Sequence, residues 1–142
     1  MIKQLSVFLE NKAGRLSGIT NILAKSNINI RAISVADTTE FGILRLIVDD
    51  PERACECLKK ESITVSLTEV IAIGMDDTPG AFAKAMNLLA DNGISIEYVY
   101  AFKSGDRGKG YVILKVDDLE RAVKVFESTE IEVLTSDRIK KM

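Results

Sequence analysis

Histidine is absent from this 142-residue chain. That absence removes the commonest general base, the Ser–His and Cys–His nucleophile pairs and most transition-metal sites together. Tryptophan is absent too, and Phe and Tyr number only five and three, too few for a base-stacking platform. Basic residues are not in excess. Residues 1–68 carry 9 basic and 8 acidic side chains and residues 69–142 carry 10 and 13, so neither half has the positive footprint that a phosphate backbone requires. No nucleic-acid partner is expected. No apolar run approaches the ~20 residues of a membrane helix, and MIKQLSVFLENK at the N-terminus alternates instead of forming a signal-peptide core. No membrane partner is expected, and a cytoplasmic location is the default that remains. The two cysteines, Cys55 and Cys57, lie two apart in a helical pattern. They point to different sides, so they should neither bridge each other nor clamp a metal; they read as small buried or half-buried apolar residues.

What the chain does have is a repeat. ENKAGRLSGITNILAKSNINI (Glu10 to Ile30) returns as DDTPGAFAKAMNLLADNGISI (Asp76 to Ile96), with Gly14 meeting Gly80, Leu23 meeting Leu89, and Ile28 and Ile30 meeting Ile94 and Ile96. Further on, VDDPERA (Val48 to Ala54) returns as VDDLERA (Val116 to Ala122). The second copy is longer near SGDRGKG, a turn where extra residues cost little. The chain is a duplication.

Each copy runs through the same periods. Leu5, Val7 and Leu9 alternate as in a half-buried strand; Leu16, Ile19 and Leu23, then Phe82, Ala85, Met86 and Leu89, recur at helical spacing. Asn27 and Gly93 suit a left-handed helix stop. Strand-like runs follow at 28–36 and 42–48 and at 94–102 and 110–116, joined by DTTEFG and KSGDRGKG. Pro51 opens a second helix with Ala54, Cys57 and Leu58 on one face, answered by Ala122, Val125 and Phe126. A last strand is expected at 63–67 and again near 131–134. Strand, helix, strand, strand, helix, strand, written twice, predicts an α+β fold of two tandem ferredoxin-like βαββαβ units, antiparallel sheets with helices on one face. The boundaries are 1–68 and 69–142. Alternation places Phe8, Ile33, Val35, Ile43 and Ile47 on the sheet surface away from the helices. Such residues want cover, so packing of the halves and a homodimer are expected.

Asn11-Lys12-Ala13-Gly14-Arg15-Leu16 leads into the first helix, and Asp77-Thr78-Pro79-Gly80-Ala81-Phe82 does so in the second copy. Asn and Asp suit an N-cap, and Pro79 the first helical turn. Glycine costs roughly 1 kcal/mol against alanine in a helix, so its use twice implies a close approach to the backbone by a neighbouring element or a ligand. Amides at a helix start offer a berth for a carboxylate.

ENKAGRL and DDTPGAF, each followed by a helix and then by INI or ISI, resemble the signature of the ACT domain. The resemblance covers essentially the whole chain as two ACT domains in tandem. It implies a ligand-sensing module of amino-acid metabolism, with a small ligand, usually an amino acid, held where ACT units meet. The walls it implies are the loop before the first helix and the start of the second strand: Asn11 and Asn29 in one unit, Asp77 and Ser95 in the other. Asp77 would pair with a ligand ammonium, and amides near Gly14 or Gly80 would take the carboxylate.

Three further features are weighed. Arg45, whose counterpart is Ile113, is either exposed or paired within its strand or a bidentate grip on a carboxylate. Tyr98, Tyr100 and Phe102 share a strand face and read as core filling, with Glu97 opposite as a second partner for an ammonium group. Arg15 is either an exposed helix-start residue or a carboxylate contact. The expectation is a regulatory protein that binds an amino acid and acts on a partner enzyme, with no catalytic residues, metal or cofactor. Its rivals are a ligand-free assembly subunit and a small ferredoxin-like enzyme. The carboxylate pairs Asp76-Asp77, Asp49-Asp50 and Asp117-Asp118 would have to serve the enzyme, and helix capping accounts for the last two.

Overall fold

The computed structural model describes residues 1–37, 40–102 and 107–142. Residues 38–39 and 103–106, on which parts of DTTEFG and KSGDRGKG fall, lie outside the described residues. The chain divides into two compact units, Lys3–Thr68 and Glu69–Met142 together with Met1–Ile2.

The first unit uses β1 (Ile2–Glu10), α1 (Arg15–Lys25), β2 (Ile30–Asp37), β3 (Phe41–Val48), α2 (Pro51–Lys60) and the start of β4 (Val65–Asp76). Its strands lie in the order β2-β3-β1-β4, with β3 antiparallel to both neighbours. The second unit continues β4 and adds α3 (Ala81–Asp91), β5 (Ile96–Phe102), β6 (Lys109–Val116), α4 (Leu119–Glu127), β7 (Glu132–Val133) and α5 (Ser136–Lys140). Here β4 lies between β7 and β6, and β5 flanks β6. Both units are antiparallel, ferredoxin-like α+β units.

Each core joins one sheet face to two helices. In the first unit Leu5, Val7, Leu44 and Leu46 meet Ile19, Leu23, Ala54 and Leu58; in the second Ile71, Ile73 and Leu114 meet Ala85, Leu89, Ala122 and Phe126. Cys55 is buried and Cys57 half-buried, both as free thiols. The helix ends obey local chemistry. Asp50 and Asp118 cap α2 and α4 by accepting from the amides of Arg53 and Arg121. After α1 and α3, Asn27 and Gly93 adopt φ of 57° and 68°, and the next amides, of Ile28 and Ile94, return to the carbonyls of Leu23 and Leu89.

Several expectations need correction. The last strand of the first copy and the first strand of the second are one 12-residue strand, β4. The final strand shrinks to the two residues of β7, and the short helix α5 follows it. Leu16 and Phe82, expected on the buried helix faces, are 38% and 43% exposed; each is the second residue of its helix. The alternation in β2 fails at a bulge. The register shifts between Ile30 and Ala32, so Ile33 and Val35 pair with the core residues Leu46 and Leu44, on the helix side and not the far one. Phe8 and Ile43 are partners on the far face, half exposed, whereas Ile47 is fully buried.

The same shift occurs between Ile96 and Tyr98. It puts Tyr98, Tyr100 and Phe102 opposite Lys115, Ile113 and Tyr111, outside the helix-side core. Phe102 is buried, as core filling requires, whereas Tyr98 and Tyr100 are only half-buried. Tyr98 stacks on Tyr100, and Phe102 meets Tyr111 at a tilt of 37°. Tyr111 lies across Gly74, where a Cβ would stand 2.8 Å from its ring. Arg138 of α5 donates to the Tyr111 hydroxyl at 3.3 Å and to Glu132 at 3.1 Å.

Candidate functional site

In both units the strand before the first helix ends in an exposed loop that the neighbouring hairpin tethers. Asn11 donates its amide to Glu40 O, and Asp77 does the same to Gly108 O. Gly14 and Gly80 are the N-cap residues, with φ of 85° and 88° and no side-chain cap. This corrects two expectations. Asn11 and Asp77 are not the caps, and Pro79 precedes the cap instead of opening the helix. A Cβ at either glycine would meet nothing within 4 Å, so no neighbouring element crowds them. The left-handed turn is what requires glycine.

A cleft opens beside each of these helix starts. In the first unit it measures about 350 Å³ and is lined by Glu10, Gly14, Arg15, Gly18, Glu61 and Ser62 among others. Its basic residue Arg15 reaches the Glu10 carboxylate at 3.4 Å, which Lys12 of the preceding loop also approaches, at 3.3 Å. The contact found for Arg15 is thus the chain's own carboxylate.

The second unit's cleft, about 440 Å³, is chemically different. Asp76, Lys84, Lys109 and Glu130 line it beside Thr78, Pro79 and Gly80, at positions where the first copy has Glu10, Gly18, Phe41 and Ser62. Lys109 donates to Asp76 at 2.8 Å, and Lys84 donates to Glu130. The hydrogen bond and charge of Lys109 hold the Asp76 carboxyl below its usual range, and Asp76 in turn raises the Lys109 ammonium. The Lys84 hydrogen bond lowers Glu130 likewise. A second cavity of about 420 Å³ shares Asp76 and Lys109 and adds Asp77, Phe82 and Phe102 to its wall. Two cations and two anions at a helix start can meet both ends of a zwitterion.

The other expected site residues lie elsewhere. Asn29 and Ser95 stand at the opposite ends of α1 and α3, roughly 16 Å away for an 11-residue helix. There their amides donate to Asp49 and Asp117 at 3.1 and 3.0 Å, which accounts for these two carboxylates structurally. Glu97 is near Ser95 and pairs with Lys115 at 3.5 Å. Arg45 sits on the sheet face away from the helices, between Ser6 and Ser34 in register. Four residues of β3 separate it from the loop end of the strand, about 13 Å. One unit therefore brings Asn11 to Leu16 together, or Asp77 to Phe82, but not these with Asn29, Ser95, Glu97 or Arg45. Lys84, Lys109 and Glu130 were missed from sequence, although the repeat marks them: each is charged where its counterpart is not. Among the described residues, no group of three or more His, Cys, Asp or Glu could hold a metal ion, and no helix is long and apolar enough to cross a membrane.

Known proteins share the fold of this chain. The crystal structure of protein BT0572 from Bacteroides thetaiotaomicron matches 99% of this chain and 96% of its own, with 38% identity and a TM-score of 0.93. The ligand-free regulatory subunit of aspartate kinase from Thermus thermophilus shares the fold at 17% identity, covering 89% of this chain and 91% of its own with a TM-score of 0.66. The regulatory subunit of aspartate kinase from Thermus flavus does so at 17%, 89%, 90% and 0.61. No curated protein matches the chain. Residues 1–142 match the family described as an ACT domain pair, and the chain belongs to that family.

Proposed function

We propose that this protein is a non-catalytic regulatory subunit that binds an amino acid and acts, as a homodimer in the cytoplasm, on a partner enzyme of amino-acid metabolism. The observation that carries the reading is the second-unit cleft. Lys84 and Lys109 can exchange their partners for a ligand carboxylate, and Asp76 and Glu130 can exchange theirs for its ammonium. The Gly80 turn keeps the backbone beside them free of a side chain. Asp77, Thr78 and Phe82 would add walls, and residues from another ACT unit, such as the Asn29 or Ser95 type, would close the site. The regulatory subunits of aspartate kinase that share the fold supply the precedent for an enzyme partner. The effect on that partner is bounded by the ligand's difference in affinity between two states of the protein.

The test is a thermal-unfolding scan of the purified chain against the twenty amino acids at millimolar concentration. A ligand at ~100 times its dissociation constant stabilises by about 2.7 kcal/mol, a rise of several degrees at this size. One amino acid or one class should stand out, and Lys84→Met with Lys109→Met should abolish its shift. A flat scan would overturn amino-acid sensing in favour of a docking subunit.

A further inference from the structure

The charged cleft of the second unit and the cavity of about 420 Å³ beside it share Met75, Asp76, Thr78, Ala81 and Lys109 as lining. They therefore meet along the Asp76–Lys109 ion pair. What the second cavity adds is aromatic. Phe82, Phe102 and Tyr111 all line it, although the whole chain has only five Phe and three Tyr. The first copy has Leu16, Ala36 and Ile43 at these positions, with no ring among them. Ala81, common to both cavities, puts a methyl group where the first copy has the guanidinium of Arg15. We infer that the ligand of this site is an α-amino acid with an aromatic side chain, its ammonium and carboxylate in the charged cleft and its ring in the adjoining cavity. The inference rests on the amino-acid reading of the cleft and names the class of ligand.

The rings are placed to receive another. Phe102 and Tyr111 are buried, with centroids 5.2 Å apart, and Arg138 holds the Tyr111 hydroxyl at 3.3 Å. Rings fixed in this way lose little freedom when a ligand arrives. Phe82 is 43% exposed, so it still has apolar area to bury, and a ring beside it gains more than area alone provides. Each cavity lies within the size range of small-molecule sites, ~300–1,000 Å³. A zwitterion answers Asp76, Lys84, Lys109 and Glu130 without any charge on its side chain. Among the described residues, the one charge that the second cavity adds is Asp77. It repels an acidic side chain and makes L-lysine the rival ligand to test.

The experiment is NMR titration of the full chain with each of the twenty amino acids, which reads dissociation constants into the millimolar range. The aromatic amino acids should lead, the tightest binding at least ~10-fold more strongly than L-alanine because of the ring it buries. Phe82→Ala should weaken that aromatic ligand about 5-fold and leave L-alanine unchanged. The amide spectrum of the variant should otherwise match wild type, because Phe82 is an exposed side chain. Lys84→Met with Lys109→Met should weaken every amino acid that binds. A preference for L-lysine or any other non-aromatic amino acid would overturn the aromatic ligand and leave amino-acid sensing standing. Aromatic binding indifferent to Phe82→Ala would overturn the place assigned to the ring. Binding of none of the twenty would overturn the aromatic ligand and the amino-acid reading together.

Discussion

Lys109 donates to Asp76 across the paired ends of β6 and β4, whereas the same two positions of the first unit hold Phe41 beside Glu10. One pair of backbone sites thus carries an ion pair in one repeat and a phenyl ring next to a carboxylate in the other. There the ring stacks on Phe8 with centroids 5.0 Å apart. The duplication has kept the backbone and divided the chemistry: the second cleft is lined by two lysines and two carboxylates, the first by Arg15 with Glu10 and Glu61.

The ion pair predicts a pH response. Asp76 is held below its usual range, so its contribution to stability is complete above the ordinary aspartate titration and is lost as pH falls through the lowered value. Lys109 is raised, so its contribution holds below the ordinary lysine range and is lost as pH climbs through the raised value. Both groups are exposed, and the effect on unfolding should be small. In Lys109→Met, NMR titration should show Asp76 moving up toward an ordinary carboxylate. An unmoved Asp76 titration would refute the pairing.

The two cap glycines are conformational, and this separates them from Gly18 inside α1. Gly14→Ala and Gly80→Ala should each cost about 1–2 kcal/mol, the price of a left-handed L-residue. Gly14→Asn should lose less, because Asn tolerates that region. Gly18→Ala, with nothing within 4 Å of its new Cβ, should instead stabilise by roughly 0.5–1 kcal/mol. Denaturant midpoints measure all four, and a neutral Gly80→Ala would contradict the role assigned to the turn.

Gly74 is steric. Its substitution by alanine drives a methyl into the Tyr111 ring, 2.8 Å away, while Arg138 holds the hydroxyl at the other end. Overpacking of this kind costs about 1–3 kcal/mol. In a Tyr111→Leu background the penalty for Gly74→Ala should largely vanish, giving a non-additive double-mutant cycle. Additive losses would mean that the ring is not what excludes the methyl.

Much of the fold was legible because local rules write it into the residues. Asp50 before Pro51, Asp118 before Leu119, and Asn27 and Gly93 after their helices each act within four residues, and each sits where its chemistry placed it. The far-face position of Phe8 and Ile43 was legible for the same reason, since nothing interrupts β1 or β3. Ile33, Val35, Tyr98 and Tyr100 were misread because one inserted residue in a bulge reverses every side chain beyond it. No residue type announces that insertion.

The candidate site divides the same way. The sequence by itself determined the duplication, the order of elements, the two glycine turns and the family resemblance, since all depend on spacing along the chain. The tertiary structure decided which residues share a place. It set Asn29 and Ser95 a helix length from the loops they were grouped with, because α1 and α3 return the chain to the opposite end of the sheet. It gathered Asp76, Lys84, Lys109 and Glu130 from β4, α3, β6 and the segment before β7, because strand pairing and helix packing, not sequence proximity, bring charges within reach of one another.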